Sequence, residues 1–181
     1  MWKIKNSAAH YGAVAKGFHW AMAVLILGML AMGLYMADLP LGLQKLTYYG
    51  WHKEWGVVVL IFALLRLGWK ITQMSPTLPS SLGRLSVCAA KAGHALLYGM
   101  MLAMPISGWL MSSAAGFPVS VFGWFTLPVL MAPDDSARKI LAEVHEYLAF
   151  GLMALIAGHI LAALMHHYLY KDNVLRRMLP W

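Results

Sequence analysis

Two histidines, His145 and His159, lie fourteen residues apart in one apolar segment of the chain. Fourteen residues make almost four turns of an α-helix, so both imidazoles share one helix face and stand roughly 21 Å apart along the axis. In a helix that crosses a bilayer, this distance puts one imidazole near each leaflet. Ionisable side chains at membrane depth are costly and usually functional, and imidazole is a common axial ligand of haem iron. The spacing therefore predicts two separate histidine sites.

Two further histidines match these two in predicted depth. His52 begins the second apolar segment at the level of His145, and His19 begins the first at the level of His159. We expect an outer pair, His52 with His145, and an inner pair, His19 with His159, each holding one haem with both axial positions filled. Cys88 is the only cysteine, so attachment through Cys-x-x-Cys-His is excluded and the two haems are expected to be b-type.

Three more side chains lie near the predicted depth of the inner pair, His19 and His159. Arg66 follows His52 by fourteen residues, which predicts a cation that either pairs with a haem propionate or anchors its helix at the membrane surface. His94 and His166 are candidates for hydrogen bonding to a quinone or for proton delivery, because imidazole exchanges protons near neutral pH. His94 also competes for ligation of the inner haem, since depth alone does not exclude it.

Two plainer interpretations of the histidines compete with haem ligation. Any single histidine near a membrane boundary is explained by hydrogen bonding within a helix bundle, although His159 has only small or apolar sequence neighbours. A zinc site needs three or four converging ligands, and the fourteen-residue spacing separates His145 and His159 too far to share one ion. A histidine-lined metal transporter, which requires no haem, is a further functional class.

Composition indicates where these histidines lie. The chain has 181 residues, of which 61% are hydrophobic and 12% are charged, so it is a membrane protein with room for one domain. Residues 17–37 and 92–116 carry no charge, and residues 51–70 and 145–170 carry charges only near their ends. Each segment reaches the ~20 residues needed to cross the hydrocarbon. We predict an all-α, integral membrane four-helix bundle over residues 1–181, with residues 117–132 as an interfacial loop.

Charge asymmetry predicts the orientation of this bundle. The side that holds both termini carries ten of the 14 basic residues: Lys3, Lys5, Lys16, Arg66, Lys70, Arg84, Lys91, Lys171, Arg176 and Arg177. The other side carries four cations, Lys45, Lys53, Arg138 and Lys139, and six of the seven acids, Asp38, Glu54, Asp134, Asp135, Glu143 and Glu146. Both termini are therefore expected in the cytoplasm. The net charge of +7 follows from this topology and excludes nucleic acid as a partner, because four spans leave no residues for a folded basic surface.

Several short motifs, taken in order along the chain, resemble the bacterial cytochrome b561 family. They are Gly17-Phe18-His19-Trp20, Tyr49-Gly50-Trp51-His52-Lys53, Val144-His145-Glu146, Gly158-His159, His166-His167-Tyr168 and Lys171-Asp172-Asn173. The resemblance covers essentially the whole chain, and it implies four helices holding two b-type haems in the bacterial inner membrane. The ligand positions of that family correspond here to His19, His52, His145 and His159, and its quinone-side positions to His94 and His166.

The resemblance further implies electron exchange with the quinone pool, first as superoxide oxidation with ubiquinone as acceptor. The alternative is a non-catalytic electron-transfer subunit that couples quinol to a periplasmic or dehydrogenase partner. An enzyme that collects superoxide anion benefits from a positive outer surface, whereas the outer side here has four cations against six acids. Both functions predict single-electron transfer, because iron with two histidine ligands has no vacant site for oxygen.

Overall fold

The chain folds as an all-α bundle in a computed structural model that describes residues 4–77, 79 and 82–179. Its four helices are α1 (Ala13–Asp38), α2 (Leu43–Ile71), α3 (Arg84–Ala114) and α4 (Asp135–Tyr168). The predicted fold class is therefore confirmed. Lys3, counted above among the basic residues, and the two ends of the predicted 1–181 domain lie outside the described residues.

The helices extend beyond the apolar segments that predict them, chiefly at their amino-terminal ends. The sequence predicts a short helix that begins within residues 136–139 and leads to His145, and α4 begins at Asp135 and includes that helix in one continuous helix. Asp134 caps the new first turn, because its carboxylate accepts a hydrogen bond of 2.9 Å from the Ala137 backbone N–H. Polar residues outside the hydrocarbon thus extend the helix at its amino-terminal end, where hydropathy alone would begin it only at His145.

The protein is a multi-pass membrane protein. Among the residues that the structure describes, α1, α3 and α4 are each long and apolar enough to cross a bilayer. α2 is also long, at 29 residues, but it carries charges towards both of its ends, which lowers its mean hydropathy. Its place between α1 and α3 makes it part of the same bundle. Large apolar side chains such as Val24 and Leu161 are exposed on the outside of the bundle, as expected of surfaces that face lipid.

A small apolar core joins the first three helices. Met22 of α1 is fully buried against Val59 and Ala63 of α2 and Met101 of α3. Each helix packs chiefly against its neighbour in the chain, so α3 connects α2 to α4. This order leaves side chains of α4 facing α1 and α2 across the bundle.

The segment of residues 117–132 is non-helical, as predicted, but it contains a short β-hairpin. Its strands, β1 (Ser120–Val121) and β2 (Phe125–Thr126), are antiparallel, with Val121 opposite Phe125. Phe122 and Gly123 turn the chain with positive φ values of 49° and 73°. The Phe122 backbone N–H donates to the Glu54 carboxylate of α2 at 3.2 Å, which fixes the hairpin to the bundle.

Three segments outside the helices close the end of the bundle that holds both termini. This terminal cap consists of residues 4–12, 72–77 and 169–179. The Thr77 backbone N–H donates to the Ala8 carbonyl at 3.0 Å, and the Trp20 indole N–H donates to the Met178 carbonyl at 2.9 Å. Lys16 Nζ donates to the Leu179 carbonyl at 2.6 Å. The cap therefore ties the chain ends to the first turns of α1.

Candidate functional site

The predicted outer histidines face each other across the bundle. The ring centroids of His52 on α2 and His145 on α4 lie 6.3 Å apart, with the two planes at 79°. A glycine from each remaining helix lies beside the rings. A Cβ built on Gly33 of α1 would lie 3.4 Å from His52 Cε1, and one on Gly108 of α3 would lie 3.2 Å from His145 Cε1. All four helices therefore shape this pair.

The two outer imidazoles differ in their hydrogen bonding. His145 Nδ1 lies 2.8 Å from Ser107 Oγ, and the same oxygen lies 2.8 Å from the Met104 carbonyl oxygen. His52 Nδ1 is buried and has no hydrogen-bond partner among the described residues. A buried polar nitrogen without a protein partner is uncommon in a folded protein.

The inner level brings together three histidines. His159 on α4 lies 6.1 Å from His19 on α1 and 5.8 Å from His94 on α3, measured between ring centroids. His159 thus lies near His19, the partner expected from depth, and also near His94, the competing ligand that depth did not exclude. His19 and His159 are partly buried, whereas His94 is exposed.

Arg66 lies against the inner histidines, as its spacing from His52 predicts. One guanidinium nitrogen is 3.1 Å from His19 Nδ1, and the guanidinium carbon lies 5.4 Å from the ring centroid of Tyr98 on α3. Lys70, one turn further along α2, has its Nζ 4.2 Å from the same ring centroid. Two cations therefore lie near one aromatic ring beside the inner pair.

His166 lies in the last turn of α4 and forms a pair with an acid in the terminal cap. Its Nδ1 is 2.5 Å from Asp172 Oδ2, and the other carboxylate oxygen accepts the Val174 backbone N–H at 2.9 Å. Partial burial opposes ionisation of Asp172, but the hydrogen bonds from Val174 and His166 outweigh it and lower the pKa of this carboxyl below its ordinary value of 3.8. Asp172 is thus held as a carboxylate beside the imidazole.

No group of three or more histidine, cysteine or acidic side chains in the described ranges converges as a metal ion would require. The zinc interpretation therefore has no ligand set in residues 4–77, 79 and 82–179.

Each of the four outer cations contacts another group of the protein. Lys45 Nζ donates to the Ala37 carbonyl at 3.0 Å and to the Leu39 carbonyl at 2.8 Å, and so caps the end of α1. The Lys53 ammonium lies 5.6 Å from the Phe117 ring centroid. The other two outer cations, Arg138 and Lys139, contact the Asp135 carboxylate at 2.6 Å and 2.9 Å.

Sequence reasoning missed three residues at these sites: Ser107, Gly108 and Asp172. A serine and a glycine in an apolar helix ordinarily indicate close helix packing, so spacing alone gives neither a role. Their depth offers a weak signal, since α3 runs antiparallel to α4 and the level of His145 falls in its second half. Asp172 is the single acid on the basic side of the sequence, and that isolation was the available signal.

A membrane-spanning helical bundle that presents facing histidine pairs at two levels defines a class, the membrane cytochromes. Residues 10–181 match the family described as prokaryotic cytochrome b561, and the chain belongs to that family. The family binds b-type haem and transfers electrons.

Three relatives illustrate this membership. The chain is 35% identical over 182 residues to cytochrome b561 homolog 2 of Escherichia coli (strain K12), covering 96% of this chain and 93% of the relative. It is 27% identical over 179 residues to the probable superoxide oxidase CybB of Yersinia pestis, covering 94% of this chain and 96% of the relative. Cytochrome b561 homolog 1 of Escherichia coli (strain K12) is 32% identical over 129 residues, covering 71% and 73%.

The histidine pairs fit the cofactor of this family. Metal–imidazole bonds of about 2 Å and a ring radius of about 1 Å put the centroids of two imidazoles on one ion roughly 6 Å apart. The observed separations are 6.3 Å for the outer pair and 6.1 Å for the inner pair. The glycines beside the outer rings agree with a flat group entering there.

Proposed function

We propose that the protein carries single electrons across the bacterial inner membrane, from a donor on the outer side to a quinone. His52 and His145 would hold one haem b, and His19 and His159 a second. When bound, each haem supplies a one-electron couple without an open coordination position. The observation that carries the proposal is the presence of two facing histidine pairs fourteen residues apart along α4.

On the inner side, the chain offers groups that suit quinone chemistry. His94 is exposed and lies 5.8 Å from His159, so it can donate a hydrogen bond to a quinone carbonyl near the inner pair. His166 can take a proton from the cytoplasm and hold it on Nδ1 against the Asp172 carboxylate. Arg66 supplies a guanidinium that pairs with a haem propionate. Ubiquinone is the acceptor we propose.

Superoxide is the electron donor that we propose first. The support is the likeness over nearly the full length to a relative named as a probable superoxide oxidase. In this role the protein is an oxidoreductase that oxidises superoxide to oxygen and reduces quinone after two single-electron transfers. The excess of basic residues around both termini favours a cytoplasmic position for the terminal cap.

The outer charges favour a second candidate, a carrier that exchanges electrons with a protein partner. An enzyme that collects an anion at high rate benefits from unpaired positive charge around its entrance. Here Lys45 contacts backbone carbonyls, while Arg138 and Lys139 share the Asp135 carboxylate. The net outer charge is negative, which suits docking of a cationic partner better than attraction of superoxide.

Stopped-flow absorption of the purified, oxidised protein mixed with superoxide tests the first proposal. Two low-spin haems that are reduced rapidly, with the electrons passed to added ubiquinone, would support a superoxide:quinone oxidoreductase. The same two haems left oxidised would favour the carrier. A purified protein without haem would contradict both.

A further inference from the structure

We infer that Ser107 is a positioning residue that fixes the tautomer and orientation of the His145 imidazole, so that Nε2 is the nitrogen presented to the metal. The inference rests on the proposed function, because it assigns His145 as a ligand. It adds a residue of α3 to a site whose proposed ligands come from α2 and α4.

The hydrogen-bond directions at Ser107 follow from its single hydroxyl proton. Ser107 Oγ lies 2.8 Å from the Met104 carbonyl oxygen and 2.8 Å from His145 Nδ1. A carbonyl only accepts, so the hydroxyl proton must be donated to Met104, as serine commonly does to the preceding helical turn. The lone pair of Oγ then accepts a hydrogen bond from the Nδ1–H of His145. His145 therefore carries its proton on Nδ1, which leaves a lone pair on Nε2.

The surroundings hold this arrangement in place. Ser107 is 6% exposed, so water does not compete strongly for its hydroxyl. The adjacent Gly108 is the reason that the ring fits, since a Cβ there would lie 3.2 Å from Cε1 and 3.6 Å from Nδ1 of His145. Serine and glycine thus act together: the glycine admits the imidazole and the serine orients it.

Neither His52 nor His19 has such an acceptor at Nδ1 among the described residues. His52 Nδ1 has no partner among the described residues, and His19 Nδ1 faces the guanidinium of Arg66. A hydrogen-bond acceptor on the second nitrogen of a ligating histidine makes the imidazole a stronger electron donor and stabilises the oxidised metal. Ser107 therefore acts on one ligand of the outer site and distinguishes that site electronically from the inner one.

The test compares Ser107→Ala with Ser112→Ala in the haem-loaded protein. Ser112 is a matched control, because it is buried in the same helix and its hydroxyl donates to the Phe117 carbonyl instead of meeting a histidine. We expect Ser107→Ala to release one haem about ten-fold faster than wild type, to shift its low-spin electron paramagnetic resonance signal and to raise its midpoint potential. Ser112→Ala should leave the rate of haem release, the paramagnetic resonance signal and the midpoint potential unchanged.

Ser107→Thr provides the rescue. A threonine hydroxyl bonds readily to a carbonyl of the preceding helical turn, so this variant keeps the acceptor that alanine removes. Its spectrum and midpoint potential should return towards the wild-type values. If Ser107→Ala matches Ser112→Ala in haem release, signal and potential, the inference is wrong.

A His145→Ala variant separates this inference from the proposed function. Loss of one low-spin haem in His145→Ala is the result that the proposed function requires. Retention of both haems would overturn the ligand assignment and the role of Ser107 with it. Loss of one haem in His145→Ala together with unchanged Ser107→Ala properties would overturn only the role of Ser107.

Discussion

Arg66 donates a hydrogen bond to His19 Nδ1, with 3.1 Å between the nitrogens. The direction is fixed because a guanidinium has no acceptor, so in this arrangement the His19 proton is on Nε2. Ligation of a metal by Nε2 requires that proton to move to Nδ1. The Arg66 hydrogen bond and Nε2 ligation by His19 therefore exclude each other, and haem binding should release Arg66 for a propionate.

Replacing Arg66 tests its charge near the inner haem. We expect Arg66→Gln to lower the midpoint potential of that haem, because loss of a nearby cation favours the oxidised iron with its additional positive charge. Redox titration followed by absorption measures the effect. Arg66→Lys keeps the charge and should change the potential less. An unchanged or higher potential in Arg66→Gln would contradict the assignment.

Two variants show whether His19 or His94 is the haem ligand opposite His159. His19→Ala should lose one low-spin haem, whereas His94→Ala should keep both and reduce quinone at least several-fold more slowly. The physical reason is that His19 is partly buried opposite His159, while His94 is exposed and suited to an exchangeable ligand. Haem content and quinone reduction are measured on the same preparations. The reverse pattern would make His94 the ligand.

The two glycines beside the outer rings should differ in their tolerance of a methyl group. A Cβ at Gly108 would lie 3.2 Å from His145 Cε1, which forces the ring to move, whereas a Cβ at Gly33 would lie 3.4 Å from His52 Cε1, close to an ordinary contact. Gly108→Ala should therefore lose more of the outer low-spin haem than Gly33→Ala. Haem-to-protein ratios measure this, and equal losses would show that ring crowding is not the cause.

The Asp172 carboxylate should contribute stability in a pH-dependent way. Its folded pKa is lowered below 3.8, so the contribution is present above pH 3.8 and is lost as the pH falls through the folded pKa. Asp172→Asn should lower the thermal unfolding temperature at neutral pH, and the difference from wild type should shrink below about pH 3.8. Exposed Asp38→Asn is the control. A difference that stays constant with pH would contradict the ionic role.

Salt dependence tests the electrostatics of the outer surface. If the protein reacts with superoxide, its rate should change little between low and physiological ionic strength, because the outer cations are partnered and outnumbered. Second-order rate constants over a salt series measure the effect. A steep fall with added salt would reveal positive steering that the outer charges do not explain.

Much of the bundle follows from the sequence, since hydrophobic runs and their charged ends specify the helices and their order. Helical periodicity also anticipated that His52 faces His145 and that His19 faces His159, although their role as ligands stays a prediction. Periodicity works here because an α-helix in a membrane is nearly regular, so sequence distance converts directly into depth.

The rest depended on contacts between residues of different segments. The Ser107 hydroxyl, the hairpin turn at Phe122 and the Asp172 carboxylate each act on a residue of another segment. A single sequence contains at most a weak signal for such contacts where the residue type has a common local explanation. The continuity of α4 from Asp135 through His145 was missed for another reason, because hydropathy marks only the apolar part of a helix and does not include a capped polar turn before it.

The terminal cap has a consequence for how the molecule is made. The carbonyls of Met178 and Leu179, which accept hydrogen bonds from Trp20 and Lys16 of α1, are translated after all four helices. Trp20 and Lys16 therefore cannot form these bonds until synthesis reaches the carboxyl-terminal residues. These two contacts therefore form only after the last helix has been made, so the amino-terminal end of α1 is fixed late, by the last residues of the chain that the structure describes.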